Sequence, residues 1–263
     1  MTFKNKVIWI TGASSGIGKG LVLALSKLDC QIIISSRKET DLNKIKQLCP
    51  KPENIATLPF DLANYDNMKP IVNKAISLFG SIDLLINNGG ISQRSLILDT
   101  DIAVDKKLMD VDYLGTVALS KALLPYFIKN QSGHYVVVTS LMGKFSSSYR
   151  SGYCGAKHAL HGFFDAMRME HQKDNVKVTI ICPGFVNTNI AKNALIGDGS
   201  LQNSQDIATE NGLSITTFCN RMIKAIQKEK FEAYIGKKEI IGVYLKRFFP
   251  KLLHRLVMKS QVR

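Results

Sequence analysis

Short apolar runs alternate with longer helical patterns along most of the chain, and this alternation restricts the fold more than any other feature. The runs read KVIWIT, QIIIS, IATLPF, DLLIN, HYVVVTS and VKVTIIC, and they are continuously apolar. Strands of this kind have both faces covered by helices, as in a parallel sheet. Regular strand–helix alternation therefore predicts an α/β fold, with a doubly wound parallel sheet flanked by helices.

The predicted helices fill the intervals between these runs. They end near Leu28 and near Cys49, extend over about 67–79, run through VDYLGTVALSKALLPYFI, and cover about 152–172. The chain has 263 residues, of which 45% are hydrophobic, and it shows no linker or repeat. A single domain is therefore the simplest organisation.

We assign residues 1–239 to this domain and residues 240–263 to a basic amphipathic tail. The tail is either part of the domain or a helix on a membrane surface, and both interpretations stay open. The polar segment 193–212 is rich in Gly, Asn and Ser, which predicts a mobile loop over the functional site.

The N-terminal residues and the cysteines indicate the compartment. MTFKNKVIWITGASSG runs straight into a strand without a charged and then apolar leader, so we expect a protein that is not secreted. Five scattered cysteines without a CxxC pair suggest reduced thiols on the cytoplasmic side. There the protein is either free or peripheral on an intracellular membrane such as the endoplasmic reticulum.

Basic residues dominate the charge of the chain, which is formally +14. Residues 221–263 hold twelve Lys and Arg against three Glu, so much of the excess lies near the C-terminus. Apolar residues there are interleaved with Lys and Arg, as in a basic amphipathic helix. Such a helix binds an anionic membrane surface, or it packs on the body or a partner subunit. The chain shows no nucleic-acid-binding motif, so we do not expect nucleic acid as a partner.

A glycine-rich segment, TGASSGIG, follows the first strand and opens the first helix. Glycine permits a tight turn and close approach of a ligand to the backbone, and the helix N-terminus offers unpaired N–H groups to a pyrophosphate. In this strand–turn–helix context the segment predicts a Rossmann-type dinucleotide site. Its candidate contacts are Gly12, Ser14, Ser15, Gly16, Ile17 and Gly18.

The residues after the second and third strands indicate which dinucleotide binds. An NAD site usually places an acid after the second strand for the ribose 2′-hydroxyl, but here Ser36 is followed by Arg37 and Lys38. A guanidinium suits a 2′-phosphate, so Arg37 favours NADP(H) over NAD(H), although a solvated basic turn has the same sequence. Asp61 and Leu62 follow the third strand, where an adenine would be hydrogen-bonded and covered.

Tyr153 and Lys157 lie four positions apart in a predicted helix, so they share one face. A free phenol has a pKa of ~10 and is a poor base at neutral pH. A nearby ammonium favours the phenolate, which makes the phenol a usable proton donor or acceptor for a carbonyl/alcohol pair. The same pair is frequent in ordinary amphipathic helices, but beside a cofactor turn it indicates catalysis.

Together these motifs resemble the short-chain dehydrogenase/reductase family over nearly the whole chain. TGASSGIG is similar to the family's cofactor turn, NNGG at 87–90 to its NNAG, YCGAK to its YxxxK, and PGFVNT to its PGxVxT. The stretches NNGGISQRSLILDT, YLGTVALSKALLP and GYCGAKHALHGFF look most like the dehydrogenase/reductase member 7 subgroup.

The resemblance implies roles for individual residues. Tyr153 would exchange the proton, Lys157 would tune Tyr153 and hold the nicotinamide ribose, and Ser140 would hold the substrate oxygen. The other positions that match the family's cofactor contacts are Asn88, Pro183, Val186 and Thr188.

The implied activity is that of an NADP(H)-dependent carbonyl reductase or alcohol dehydrogenase acting on CH–OH groups. A hydrophobic carbonyl compound such as a steroid, retinoid or lipid would suit this activity. The protein could form a homodimer or homotetramer. The reaction needs no metal. We therefore expect no metal at His158 and His161, whose spacing also fits simple helix packing. Ser92–Arg94 either contacts substrate or caps the next element.

Asp112 departs from the family pattern, which usually has asparagine in a VNxxG context where this chain reads VDYLG. Aspartate keeps the shape and the backbone but adds a negative charge, which can pair with Lys157 directly or through water. That pairing would weaken the effect of Lys157 on Tyr153. We expect slower turnover or a shifted pH profile. The alternative function is a cofactor-binding scaffold or sensor with little turnover.

Overall fold

The computed structural model describes residues 1–259, and a parallel sheet of seven strands forms the centre of this part of the chain. The sheet order is β3-β2-β1-β4-β5-β6-β7, and every pairing is parallel. The predicted α/β class and doubly wound sheet are confirmed. The strands are β1 (Val7–Thr11), β2 (Gln31–Ser35), β3 (Ile55–Thr57), β4 (Leu84–Asn87), β5 (Gly133–Val138), β6 (Val176–Pro183) and β7 (Glu232–Ile235).

Helices cover both faces of the sheet, and each face has its own apolar core. One core includes Leu21 and Phe218, and the other includes Phe127 and Phe164. The helices are α1 (Gly16–Leu25), α2 (Glu39–Gln47), α3 (Lys69–Phe79), α4 (Ile102–Leu108), α5 (Gly115–Lys129), α6 (Ser151–Glu170), α7 (Ile207–Glu210), α8 (Ile215–Gln227), α9 (Ile241–Phe248) and α10 (Pro250–Lys259).

The helix through VDYLGTVALSKALLPYFI begins earlier than its sequence pattern suggests. Helix α4 starts at Ile102, and a six-residue π-helical turn, Met109–Leu114, joins it to α5. Val104 and Leu108 of α4 are buried one turn apart, which supplies the apolar face that starts the helix. A π turn inserts a residue into the helical repeat, so it changes which side chains face the core.

Three further elements were not predicted from the sequence: the short α7, the amphipathic α8 and the edge strand β7. Strand β7 has only four residues, and the burial of its side chains alternates. It therefore lacks the continuous apolar run by which the other strands are recognised. Elsewhere the differences are shifts of element ends, such as β3, which is confined to the first three residues of IATLPF.

The segment 193–212 is a loop in large part, but it is tied closely to the body. Leu195 forms bridges with Gln93 and with Leu201, and α7 lies within the segment. Asp206 caps α7 by accepting a hydrogen bond from the Thr209 N–H at 2.7 Å. The predicted mobility of this loop stays a prediction.

Helices α9 and α10 contain the described part of the tail, and both pack on the body. Leu253 of α10 is buried in the core beside α6, and Val243, Leu245 and Val257 pack around the same core. None of the described helices combines the length and the apolar character needed to cross a membrane.

All five cysteines are free and buried. Burial raises the pKa of each thiol, to about 11 for Cys30 and about 12 for Cys219. A thiol with a raised pKa holds little thiolate at neutral pH, so these side chains act as small apolar packing groups.

Candidate active site

The glycine-rich turn packs against the NNGG segment where the carboxyl ends of β1 and β4 lie side by side. Gly12 has φ +63°, and a Cβ on it would lie 2.7 Å from the Gly89 Cα. A Cβ on Gly18 would overlap the Gly12 carbonyl oxygen. The Asn88 amide donates hydrogen bonds to the carbonyl oxygens of Thr11 at 3.0 Å and Gly12 at 3.2 Å. Asn88 therefore holds the turn in shape from the neighbouring strand.

The surroundings of this turn fit a dinucleotide. Ser15 precedes α1 without a side-chain cap, and the first turn of α1 has no acid, so its N–H groups are free for a phosphate. The Ser36 hydroxyl after β2 is buried without a hydrogen-bond partner. Arg37 beside it is exposed and forms no ion pair with the described residues. The other candidate contacts of the turn are half-buried: Ser14, Gly16 and Ile17.

Asp61 and Leu62 follow β3 and lie at the same edge of the sheet. The Asp61 carboxylate accepts a hydrogen bond from the Ala63 N–H at 3.0 Å, which fixes the turn after the strand. A Cβ on Gly89 would lie 2.6 Å from the Leu62 Cδ1, so Leu62 reaches the NNGG segment. Both residues are half-buried and border the crevice where the sequence places the adenine.

The segment after β6 closes the other side of the crevice. Pro183 is the last residue of β6, and Val186 is buried just beyond it. A Cβ on Gly16 would lie 3.5 Å from the Thr188 side chain, so this segment reaches the glycine turn. The structure therefore brings the candidate cofactor residues from five strand ends to one edge of the sheet, as expected at a topological switch point.

Tyr153 and Lys157 lie in the first turns of α6, and the Lys157 Nζ is 5.6 Å from the centroid of the Tyr153 ring. Lys157 is buried, and a Cβ on Gly90 of the NNGG segment would lie 3.2 Å from its Nζ, whereas Tyr153 is half-buried and packs in the apolar cluster of Leu108 and Leu195. Ser140 follows β5, and its hydroxyl accepts a hydrogen bond from the Met142 N–H at 3.0 Å. The 3₁₀ turn that Ser140 opens packs on α6, because a Cβ on Gly143 would lie 2.9 Å from the Lys157 carbonyl oxygen.

Asp112 is completely buried in the π-helical turn and forms an ion pair with Lys157. Its Oδ2 lies 3.3 Å from the Lys157 Nζ, and its Oδ1 accepts a hydrogen bond from the Ile91 N–H at 2.7 Å. The sequence allows Asp112 to pair with Lys157 either directly or through water, and the structure shows the direct pairing. Burial raises the pKa of Asp112, against the opposing effects of Lys157 and Ile91. Burial disfavours the Lys157 ammonium, but Asp112 and Tyr153 outweigh it and raise the pKa of Lys157.

Gln93 caps the N-terminus of α6. Its Oε1 accepts hydrogen bonds from the N–H groups of Gly152 at 2.8 Å and Tyr153 at 3.4 Å. Its Nε2 lies within hydrogen-bond distance of hydroxyls on Ser95, Thr100 and Ser151. Gln93 is therefore a capping residue, but it caps α6 and not the next helix along the chain, α4, whose N-cap is Asp101.

Arg94, Asp206 and Arg150 form a buried ionic triad that sequence reasoning did not find. The Arg94 guanidinium donates two hydrogen bonds to the Asp206 Oδ2, at 2.8 and 3.2 Å, and Arg150 donates a third at 3.4 Å. Burial, followed by the charge of Arg94, lowers the pKa of Arg150 to about 10. The triad joins the loop 193–212 to the residue that precedes α6. No local pattern marks it, because its members come from three distant segments.

His161 lies in a separate buried cluster with Cys182 and Glu232, and possible ligand atoms of the three lie within 4.8 Å of one another. The Lys144 ammonium is 2.6 Å from the Glu232 Oε1 and already supplies the positive charge that the carboxylate needs. Burial, with a smaller effect of Lys144, lowers the pKa of His161 to about 4. His158 is exposed and contacts the Cys154 carbonyl oxygen instead, so the two histidines of HALH do not converge.

Comparison with known proteins gives the family. The family model described as "short chain dehydrogenase" matches residues 6–197 of this sequence. The chain belongs to the short-chain dehydrogenase/reductase family. Its relatives include human dehydrogenase/reductase SDR family member 7, which is 38% identical over 94% of this chain and 75% of the human protein. The predicted resemblance to the member 7 subgroup is confirmed.

Solved structures of short-chain dehydrogenases share the fold. One from Burkholderia phymatum, in complex with NAD, has a TM-score of 0.85 and 20% identity, with 96% of each chain covered. ElxO, solved with NADP bound, has a TM-score of 0.67 and 30% identity over 70% of this chain and 75% of ElxO. As a member of this family, the chain is classed as an oxidoreductase with a nicotinamide-dinucleotide-binding fold.

Proposed function

We propose that this protein is an NADP(H)-dependent oxidoreductase that interconverts a hydrophobic carbonyl compound and the corresponding alcohol. The observation that carries the proposal is the juxtaposition of Tyr153 and Lys157 on one face of α6, at the crevice formed by the glycine turn. Perturbed titratable groups at such a crevice are typical of a catalytic centre.

Each residue of the site has a distinct part in the proposed reaction. A bound nicotinamide would exchange hydride with the carbonyl carbon of the substrate. The Ser140 hydroxyl would hold the substrate oxygen as charge develops on it. The Tyr153 phenol would give a proton to that oxygen in reduction and remove it in oxidation. The Lys157 ammonium, held in place by Asp112, would favour the phenolate and bind the ribose hydroxyls.

The preference for NADP(H) over NAD(H) is supported by the residues after β2. Among the described residues, the exposed Arg37 has no ion-pair partner and the Ser36 hydroxyl has no hydrogen-bond partner, so both suit the oxygens of a 2′-phosphate. The presence of NADP in ElxO is consistent with this choice.

A hydrophobic substrate is supported by the segment that follows NNGG. Four apolar side chains there are exposed between 44% and 94%: Leu96, Ile97, Leu98 and Ile102. The same segment is hydrogen-bonded to the loop 193–212, where the Asp101 N–H donates to the Gly197 carbonyl oxygen at 2.9 Å. Exposed apolar patches of this kind commonly mark binding surfaces for apolar ligands.

Binding of the two dinucleotides tests the cofactor proposal. We expect calorimetry to show NADPH binding at least about tenfold more tightly than NADH, because a guanidinium–phosphate pair contributes on the order of 1.5–3 kcal/mol. Arg37→Ser should abolish the preference without preventing NADH binding. Lys44→Ser, at an exposed position on α2, is the matched control and should keep the preference. Equal affinities in the unchanged protein would refute NADP(H) specificity.

Turnover separates the enzyme from the alternative, a cofactor-binding scaffold or sensor. The Asp112–Lys157 ion pair is the observation that favours the alternative, because it neutralises the ammonium on which Tyr153 depends. A panel of steroid, retinoid and lipid carbonyls is incubated with NADPH, using Tyr153→Phe as the inactive reference. Reduction above the rate of the reference supports the enzyme. NADPH binding with no reduction across the panel supports the scaffold.

A further inference from the structure

Helices α9 and α10 each present two apolar faces, although a helix on the surface of a soluble protein needs only one. The inner faces are accounted for by contacts with the core. Val243 and Leu245 of α9 and Leu253 and Val257 of α10 pack there. The outer faces have no such partner among the described residues.

Two outer stripes repeat the same spacing. Ile241, Tyr244 and Phe248 lie at i, i+3 and i+7 along α9, and Phe249, Leu252 and Leu256 repeat that spacing at the start of α10. The six side chains are exposed between 46% and 68%. Tyr244 alone has a ring contact, with Tyr234 at a centroid distance of 6.2 Å. We call these six residues the tail surface.

Basic side chains surround the tail surface, and acids are absent from it. Exposed basic residues interrupt or follow the stripes, and no Asp or Glu occurs in the sequence after Glu239. Exposed apolar stripes interleaved with cations fit a partner that is apolar inside and anionic outside. The basic residues are Lys246, Arg247, Lys251, Arg255 and Lys259.

We propose that the tail surface binds the surface of an anionic lipid bilayer. The apolar stripes would enter the boundary between headgroups and acyl chains, and the cations would contact the lipid phosphates and carboxylates. A second copy of this chain is the less suitable occupant, because two tail surfaces would bring ten like charges together.

The tail surface starts next to the active site. Glu239, just before α9, accepts a hydrogen bond from the Phe185 N–H at 3.1 Å, in the segment that follows β6. Gly242 of α9 faces Phe145, which follows the Ser140 turn, since a Cβ on Gly242 would lie 2.8 Å from that ring. Binding to a bilayer would therefore hold this side of the site close to the lipid.

Vesicle flotation of the full chain tests the proposal. Phosphatidylcholine vesicles are compared with vesicles that contain about one-third phosphatidylserine. We expect the protein to float with the anionic vesicles, and binding should fall at least about tenfold on neutral vesicles, because the basic side chains of the tail lose the attraction of the anionic headgroups. A rise in salt should weaken binding to the anionic vesicles.

Two tail variants and one control locate the binding surface. Neutralising Lys246, Arg247, Lys251 and Arg255 together to Gln should reduce anionic binding at least about tenfold. The double change Phe248→Ser with Leu252→Ser should reduce it as well, by removing buried apolar area. The control neutralises four exposed lysines elsewhere to Gln and should bind like the unchanged protein: Lys4, Lys27, Lys173 and Lys224.

Thermal unfolding, measured on the same samples, shows that each variant is folded, and this readout does not depend on whether the protein binds NADPH. The inference is overturned if the unchanged protein ignores anionic vesicles, or if the control loses as much binding as the tail variants. It is also overturned if the chain is a dimer in solution that Phe248→Ser with Leu252→Ser converts to a monomer, because the tail surface would then be covered by a second copy.

Discussion

A carboxylate beside Lys157 changes the balance of charge in the candidate active site. Asp112 is completely buried, and its Oδ2 has no hydrogen bond besides the ion pair with Lys157. A buried ion pair is costly to break and fixes its partners in place, so Asp112 orients Lys157. The same carboxylate offsets the field that Lys157 exerts on the Tyr153 phenol.

Asp112→Asn should move the pH profile of alcohol oxidation to lower pH. Without the carboxylate, the full ammonium charge acts on Tyr153, so oxidation should reach half its maximal rate at lower pH than in the unchanged protein. The measurement is kcat/KM for oxidation across pH. Asp110→Asn, in the same π-helical turn but paired with Lys106 at the surface, is the control and should leave the profile unchanged. Identical profiles for the two variants would contradict the proposed role of Asp112.

Gly18 and Gly155 differ in the space that surrounds them. A Cβ on Gly18 would overlap the Gly12 carbonyl oxygen, whereas a Cβ on Gly155 would meet no atom within 4 Å. Gly18→Ala should therefore distort the cofactor turn and abolish dinucleotide binding. Gly155→Ala should raise the free energy of unfolding by about 0.5–1 kcal/mol, as alanine does in a helix. Calorimetry measures dinucleotide binding by both variants, and thermal unfolding measures their stability. Tight dinucleotide binding by Gly18→Ala would contradict the role of Gly18 in the turn.

At the scale of elements, the cap at the start of α6 determines where that helix begins. The first N–H groups of a helix need acceptors, and the buried Gln93 amide supplies one from the segment after β4. Because one of its acceptor bonds is to the Tyr153 N–H itself, the cap fixes the backbone that carries the phenol.

Gln93→Leu should lower both stability and turnover. The N–H groups of Gly152 and Tyr153 lose their acceptor, which costs about 1–3 kcal/mol in the free energy of unfolding. Gln93→Glu keeps the acceptor and places a negative charge at a helix N-terminus, so it should retain more of both. Urea unfolding and kcat are compared in the two variants. If the leucine variant is as active as the glutamate variant, the cap does not position Tyr153.

The elements that were predictable from sequence are those with local signals. The β1–turn–α1 unit follows from one apolar run and one glycine-rich segment, and Tyr153 and Lys157 follow from helical spacing. The roles of Gln93 and Arg94 do not, because their partners lie up to 112 positions away and the residue types are ordinary. The sequence pattern does not predict α4, which precedes the predicted helix, because the π-helical turn between α4 and α5 breaks the apolar period of the helix.

For the whole molecule, the Arg94–Asp206–Arg150 triad connects the segment after β4, the loop 193–212 and the start of α6. Burial opposes ionisation of Asp206, but hydrogen bonds from Thr209 and Arg94 outweigh it and lower the pKa of Asp206. A lowered pKa means that the ionised carboxylate stabilises the fold above its unfolded pKa, and that this stabilisation is lost as pH falls through the folded pKa.

Asp206→Asn should lower the free energy of unfolding at neutral pH by about 3 kcal/mol or more, because two buried guanidinium groups lose their counter-charge. The gap between the variant and the unchanged protein should narrow as pH falls below about 4, where the Asp206 carboxyl of the unfolded chain takes up a proton, and it should close as pH falls through the lowered pKa of the folded state. Urea unfolding from pH 7 to pH 3 measures the gap. Glu210→Gln, at an exposed position in the same segment, is the control, and a gap that stays constant with pH would contradict the role of Asp206.

All five thiols are buried, so the native protein should not react with maleimide or iodoacetamide reagents, which attack accessible thiolates. A single cysteine placed on the exposed side of α10, as in Lys251→Cys, would then be the one accessible thiol of the folded chain. A polarity-sensitive dye attached there would report the environment of the tail in real time, without removal of any native cysteine.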